Sequence, residues 1–195
     1  MTKDKIIKAA IHQYSMVNYH GATMQKIAKE VGIKPASIYF FYKNKEDLFF
    51  AAFQKLLESH FKQMKGILDK AKDRGILEVF QSLLTGTVAY HKSHMQETNA
   101  YISLVASPPA EMKHFLQEHM ETFDTWMFES LVELAKRDFP HLTETEAKML
   151  TKQFVLLMDG IFWEINLYDE HTLQEQIDQA NKIMATLLEG IQHEK

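Results

Sequence analysis

The residues of this chain that could bind a metal or move a proton are ten histidines and 26 carboxylates, with no cysteine among them. His91 and His94 stand three apart, which puts two imidazoles on one helical turn. No thiolate and no obvious third ligand completes that set, and His114 and His119, five apart, do not share a face well. No metal and no cofactor are therefore expected. The chain contains no His-Glu-x-x-His, no glycine-rich phosphate loop and no Gly-x-Ser-x-Gly turn, so no catalytic residue is expected and the chain is read as not an enzyme. Three carboxylates suggest another use. Asp159 lies inside the apolar run from Phe154 to Trp163, and Asp124 and Glu129 flank Trp126. A buried carboxylate can pair with a cationic ligand, although exposure on a helix face or a satisfied hydrogen bond is the commoner fate.

The cations are unevenly spread. Residues 1 to 55 hold nine lysines (3, 5, 8, 26, 29, 34, 43, 45, 55) against Asp4, Glu30, Glu46 and Asp47, a balance of plus five in a chain whose net charge is −4. A basic lobe on an acidic body implies a polyanionic partner for the lobe alone, or else an ordinary solvated helical surface. With 46% hydrophobic and 25% charged residues the chain can bury a core. The lack of cysteine suits a reducing compartment. The charged opening Thr2-Lys3-Asp4-Lys5 and the short apolar runs resemble neither a signal peptide nor a membrane span, so a soluble, cytoplasmic protein is expected.

Helices must position these residues. Only seven glycines and four prolines occur, between stretches whose apolar residues recur at spacings of three and four, and no stretch alternates with period two. The fold class expected is all-α. Helices are predicted over about 3–17, 24–31, 35–42, 45–68, 76–95, 98–106, 109–138, 143–168 and 172–193. Asn18 suits a left-handed cap, Asn44 an N-cap, and Thr143-x-x-Glu146 a capping box.

The segment from Thr23 to Tyr39 has the pattern a helix-turn-helix requires. Met24, Ile27, Ala28 and Val31 form a stripe at i, i+3, i+4, i+7 that seats the first helix. Gly32 follows where a positive φ is needed, Ile33 and Ile38 dock the second helix, and Pro35 fits its first position. Lys34, Ala36, Ser37 and Phe40 are left facing outward from the end that enters a major groove in such motifs. Glycine-turned helix pairs also occur in plain scaffolds, so the pattern alone leaves that reading open.

The continuation Tyr39-Phe40-Phe41-Tyr42-Lys43-Asn44-Lys45-Glu46-Asp47-Leu48 resembles the signature closing the DNA-binding domain of the TetR family of transcriptional regulators. Ser37, Ile38, Tyr39, Tyr42, Lys45 and Leu48 fall on matching places. Upstream, Ile6 to Tyr14 looks like the family's first helix and Thr23 like the threonine before its second. The resemblance runs in register over about residues 6 to 50. Four positions depart from the usual pattern: Asn18 and Ala36 for glycine, Lys34 for Ser or Thr, and Tyr42 for Phe. Lys34 forfeits a side-chain cap worth about 1 kcal/mol but adds a cation at the groove edge, so the operator sequence cannot be borrowed from relatives. The resemblance implies roles for Thr23, Tyr39 and Lys45 toward phosphates, with Lys43 beside them, and for Lys34, Pro35, Ser37 and Phe40 near base edges. Tyr39 has packing as a rival role.

What the resemblance implies for the whole chain is a three-helix DNA-binding domain, residues 1–48, joined by a long helix to a helical ligand-binding and dimerisation domain, residues 49–195. The implied function is a homodimeric repressor on a palindromic double-stranded operator, released by a small apolar or aromatic effector. A helical interaction module, or a ligand-independent regulator or activator, are the alternatives. Effector-lining candidates are Phe61, Met64, Phe80, Tyr101, Phe115, Phe123, Trp126 and Met158, although structural core is the commoner use of such residues. Dimer-interface candidates are Phe154, Leu157, Ile161, Ile183, Leu187 and Ile191, with burial inside one protomer as the competing explanation.

Overall fold

The computed structural model describes residues 2–193, and among these the regular structure is helical, with no strand. The expected domain limits at residues 1 and 195 lie outside the described residues. Nine α-helices follow in order: α1 Thr2–Gly21, α2 Met24–Val31, α3 Pro35–Ile38, α4 Lys45–Ala71, α5 Ile76–Ser93, α6 Met95–Ala106, α7 Lys113–Asp138, α8 Glu144–Glu164 and α9 Glu170–His193. A 3-10 turn, Ala110–Met112, precedes α7. No helix among the described residues is long and apolar enough to cross a membrane. The chain divides into two compact units, one of residues up to 61 with 94–120, the other of 62–93 with the residues from 121 onward.

The first unit is built on α1, which packs against α2 and α6. Ile6, Ala10 and Tyr14 recur at helical spacing and are buried, as are Ile27 and Ala28 of α2, Ile38 of α3 and Leu48, Phe49 and Phe53 of α4. Tyr14 meets Phe53 edge-on with ring centroids 4.8 Å apart, and Phe49 joins at 5.6 Å from Phe53. Helix α1 breaks at Val17 and Asn18. Asn18 takes a positive φ of 54° as expected, but its ψ of −173° is extended, outside the left-handed helical basin. Its Oδ1 accepts from the amides of His20 and Gly21 at 3.0 and 3.3 Å, so it restarts a turn as well as ending one.

Helix α3 is shorter than the spacing predicts. It ends at Ile38, whose carbonyl accepts from both Phe41 N at 2.9 Å and Tyr42 N at 3.1 Å, which tightens residues 39–41 into a turn. Helix α4 then starts behind Asn44, whose Oδ1 accepts from Asp47 N at 2.8 Å.

In the second unit α5 contacts α8 and α9, and α8 contacts α9. Phe80 of α5 stacks on Phe154 of α8 at 4.3 Å and 18° between planes. The capping box expected at Thr143 is present: Thr143 Oγ1 accepts from Glu146 N at 3.3 Å, and Glu146 Oε2 accepts from Thr143 N at 2.7 Å. The Asp138 carboxylate accepts from Ile76 N at 2.6 Å, closing the start of α5 with a side chain from the end of α7.

Candidate nucleic-acid interface

Thr23 has extended backbone, and its hydroxyl oxygen accepts from Lys26 N at 3.3 Å. The first turn of α2 is thereby capped while the hydroxyl hydrogen remains able to donate outward. Met24, Ile27 and Ala28 are buried and hold α2 on the core by its apolar stripe. At the other end Gly32 turns left-handed, φ 75°, and its N–H points at the carbonyls of Ala28 and Lys29. Ile33 N donates to Ala28 O at 3.0 Å, and the chain reverses into Pro35 within three residues.

Lys34 occupies the N-cap of α3 with extended backbone and no side-chain cap bond, as its side-chain chemistry requires. Ile38 is fully buried and anchors the turn. Around that anchor Lys34, Pro35 and Ala36 are exposed and Ser37 is half-buried. Tyr39 is 53% and Phe40 86% exposed, with Phe41 also exposed. An aromatic ring turned almost wholly to solvent contributes little to its own fold. Phe40 is thus not a core packing residue, while Tyr39, about half covered, leaves its ring partly available to a partner.

The charges separate in the same direction. No ion pair engages Lys34 or Lys43 among the described residues, and both are exposed. Glu30 is drawn back onto α1, accepting from Gln13 Nε2 at 2.6 Å and lying 2.9 Å from His12 Nδ1. Asp47 accepts from the amide of Lys43 at 2.9 Å. Lys45 behaves differently from its neighbours. Its Nζ donates to the Tyr19 carbonyl and lies 4.4 Å from the centre of the Tyr19 ring and 5.8 Å from that of Phe49. Partial burial there holds its pKa below the usual lysine value. Lys45 therefore ties the start of α4 to the segment after the α1 break, a structural contact that the motif gave no sign of. Tyr42 is buried, and its hydroxyl finds no partner among the described residues. Burial raises its pKa, and Lys3 Nζ sits 5.6 Å over its ring.

The effector candidates fall in both units. In the first, Phe61 lies 6.0 Å from His119, Tyr101 lies 5.1 Å from the His60 ring, and Phe115 packs 4.7 Å from Phe50. In the second, Met64 accepts from Thr87 Oγ1 at 3.2 Å, Phe80 is fully buried on Phe154, and Trp126 packs 5.8 Å from Phe123 beneath Lys65. Phe123 and Met158 line a cavity of about 620 Å³ between α7 and α8. Met64 and Phe80 are core. His91 is buried with its ring 4.8 Å from Phe162, and no group of three His, Asp or Glu suited to a metal ion occurs among the described residues.

Among the dimer candidates, Phe154 is 1% and Ile161 5% exposed within the single chain, so neither has surface left to give a partner. Leu157, Leu187 and Ile191 are half-buried and Ile183 is exposed. The outward apolar row of α8 is one the sequence reading passed over: Met149, Leu156 and Trp163, each seven residues on from the last, then Leu167 just past the helix end. Its signal was present as that heptad interval.

Residues 6–52 match the family model for bacterial regulatory proteins of the tetR family. The chain is 32% identical over 149 residues to the biofilm operon icaADBC negative transcriptional regulator IcaR of Staphylococcus epidermidis, covering 72% of this chain and 77% of that one. It is 20% identical over 142 residues to the probable transcriptional regulator YttP of Bacillus subtilis, covering 73% and 68%. Among solved structures it is similar in fold to a putative transcriptional regulator from Pseudomonas aeruginosa, with TM-score 0.74 at 17% identity over 96% of this chain and 90% of that one. The transcriptional regulator FadR from Bacillus subtilis, in complex with stearoyl-CoA, gives TM-score 0.72 at 17% identity over 93% of this chain and 96% of that one.

Proposed function

Because this chain belongs to the TetR family of bacterial transcriptional regulators, we propose that it acts in the cytoplasm as a homodimeric repressor of a palindromic operator, released by a small effector. It is a DNA-binding regulator and not an enzyme. In this reading residues 1–48 grip DNA, and residues 49–195 dimerise and take the effector.

The observation that carries the DNA reading is the exposed set Lys34, Pro35, Tyr39 and Phe40 ringing the buried anchor Ile38. A lysine at the N-cap of a one-turn helix and an aromatic ring in the turn that follows it suit a major groove, where the ring can meet a thymine methyl and the ammonium a guanine edge or a phosphate. Thr23, Tyr39 and Lys43 suit phosphate oxygens, which set affinity and register without reading sequence. One such helix reads few base pairs, so a two-fold pair about one DNA turn apart is needed for useful affinity. The row Met149, Leu156, Trp163 and Leu167 supplies a surface for that pair. Gly160, also on the exposed side of α8, has open space over its Cα within the protomer. A negative regulator among the relatives favours repression over activation.

Release is a population shift. An effector that binds the non-DNA state tenfold better moves the balance by about 1.4 kcal/mol, and operator must weaken effector binding by the same factor. The test is fluorescence anisotropy of the full chain on DNA from upstream of its own gene, across a salt series. Lys43→Ala should weaken binding to every sequence and lower the salt slope by about one, whereas Phe40→Ala should change which sequence is preferred. Equal losses on all sequences from both variants would remove the groove assignment.

A further inference from the structure

We propose that the kinked segment 18–21 is the positioning element of the DNA-binding head: it holds the start of α2 and the start of α4 on one short stretch of backbone, and preference for the operator depends on that spacing. The proposal rests on the groove reading above and assigns positioning roles to Asn18, Gly21 and Lys26, which lie outside its contact set.

Asn18 is the one non-glycine residue with a positive φ among the described residues. Its φ of 54° and ψ of −173° lie at the edge of a region occupied almost only by glycine. A side chain persists there only where its surroundings impose it, and here they do. Asn18 Oδ1 accepts from His20 N and Gly21 N, and Asn18 O accepts from Ala22 N at 3.1 Å, with Ala22 fully buried. Gly21 has no room for a side chain, because a Cβ would lie 2.8 Å from Val17 Cβ. That atom is fixed to the backbone, so relief requires the segment itself to move.

Two carbonyls of the kink are taken by lysines from other helices. Tyr19 O accepts from Lys45 Nζ at the start of α4, with the Tyr19 ring beneath the ammonium. Gly21 O accepts from Lys26 Nζ of α2 at 2.9 Å, while the Lys26 amide goes to Thr23 Oγ1. Lys26 has an ordinary alternative, since Glu30 stands four residues further along the same helix. That pair is not made: Glu30 is held by His12 and Gln13, so both ends of α2 are tied to α1. An exposed ammonium on a carbonyl adds little to stability, but it fixes where α2 begins. Thr23 follows the segment by two residues, and Lys43 precedes Lys45 by two. Both are phosphate candidates, and phosphate contacts set the register of a protein on its duplex. A shift of one against the other spoils both, which is why such groups must be held to about 0.5 Å by supporting bonds.

Binding to unrelated DNA needs only charge, whereas binding to the operator needs the spacing as well. The quantity to measure is therefore the ratio of affinity for the upstream DNA to that for an unrelated duplex of equal length, by anisotropy of the full chain, with folding followed by circular dichroism. Gly21→Ala leaves every charge in place and should lower the ratio at least tenfold, with the salt slope on unrelated DNA unchanged. Adding Val17→Gly removes the atom that the new Cβ meets and should bring the ratio back to within threefold of wild type. Lys26→Met, at an exposed position, should lower the ratio at least threefold. A folded Gly21→Ala protein that keeps the ratio within twofold overturns the proposal, as does failure of Val17→Gly to restore it. So does an unchanged ratio in Lys26→Met, which decides alone if Gly21→Ala does not fold. The groove reading is judged separately. Equal losses on all sequences from Phe40→Ala and Lys43→Ala remove it whatever Gly21→Ala does, whereas those two behaving as assigned beside an unaltered Gly21→Ala remove only the positioning role.

Discussion

His60 offers a test of the first unit's packing that needs no ligand. It lies on α4 with 8% of its surface exposed, its ring 5.1 Å from that of Tyr101 on α6. Burial, and secondarily the neighbouring His119, pull its pKa down from 6.5 to about 4. The folded state thus binds the proton less readily than the unfolded chain. Stability from this residue is complete above the unfolded value near 6.5 and is lost as pH falls toward 4. The full difference is about 3 kcal/mol at 1.36 kcal/mol per pH unit. Between pH 8 and pH 5 the unfolded chain has taken up the proton while the folded one has not, so about 2 kcal/mol of it disappears. His60→Gln cannot titrate and should remove that slope. Urea unfolding at pH 8, 7, 6 and 5, at one protein concentration and ionic strength, reads the difference between the two proteins and cancels carboxylate effects common to both. His119, less strongly depressed by its own partial burial, stays in both proteins. Parallel pH dependence of wild type and His60→Gln would mean that the imidazole is solvated, and the account of this core would be wrong.

Removing the unpartnered Tyr42 hydroxyl with Tyr42→Phe should raise stability by up to about 1 kcal/mol, since a buried donor without a partner is a loss and the ring stays; a fall in melting temperature would reveal a partner. Gly32→Ala places a Cβ on a left-handed residue and should cost about 1–2 kcal/mol although there is space around it, measured by chemical denaturation. Phe154→Ala should cost about 3–5 kcal/mol by emptying the stack on Phe80. Leu156→Glu, at a position 71% exposed in the single chain, should leave the protomer folded by circular dichroism yet turn dimer into monomer in sedimentation and weaken operator binding. A stable Leu156→Glu dimer would place the interface elsewhere.

The helices, the turn at Gly32 and the capping box at Thr143 were legible in the sequence because each depends on residues within a few positions of one another. Gly32 satisfies a backbone angle, Glu146 reaches three residues back to Thr143, and the stripe from Met24 to Val31 buries one face whatever it packs on. The family signature was legible for the same reason, as it spans a contiguous stretch ending at Leu48. Lys45 shows where that reach ended. Its type and place suggest a phosphate ligand, and they gave no sign that one donor of its ammonium goes to the Tyr19 carbonyl, 26 residues away, because only the folding of α4 beside α1 brings the two together. Helix α8 shows the same limit. It carries two apolar rows, one through Phe154, Met158 and Ile161, the other through Met149, Leu156 and Trp163, and periodicity alone ranks neither as inward. Phe80 arriving from α5 settled the matter by stacking on Phe154, which left the heptad row in solvent. Which face of a helix is core depends on what packs against it, and that is a property of the tertiary structure and not of the helix.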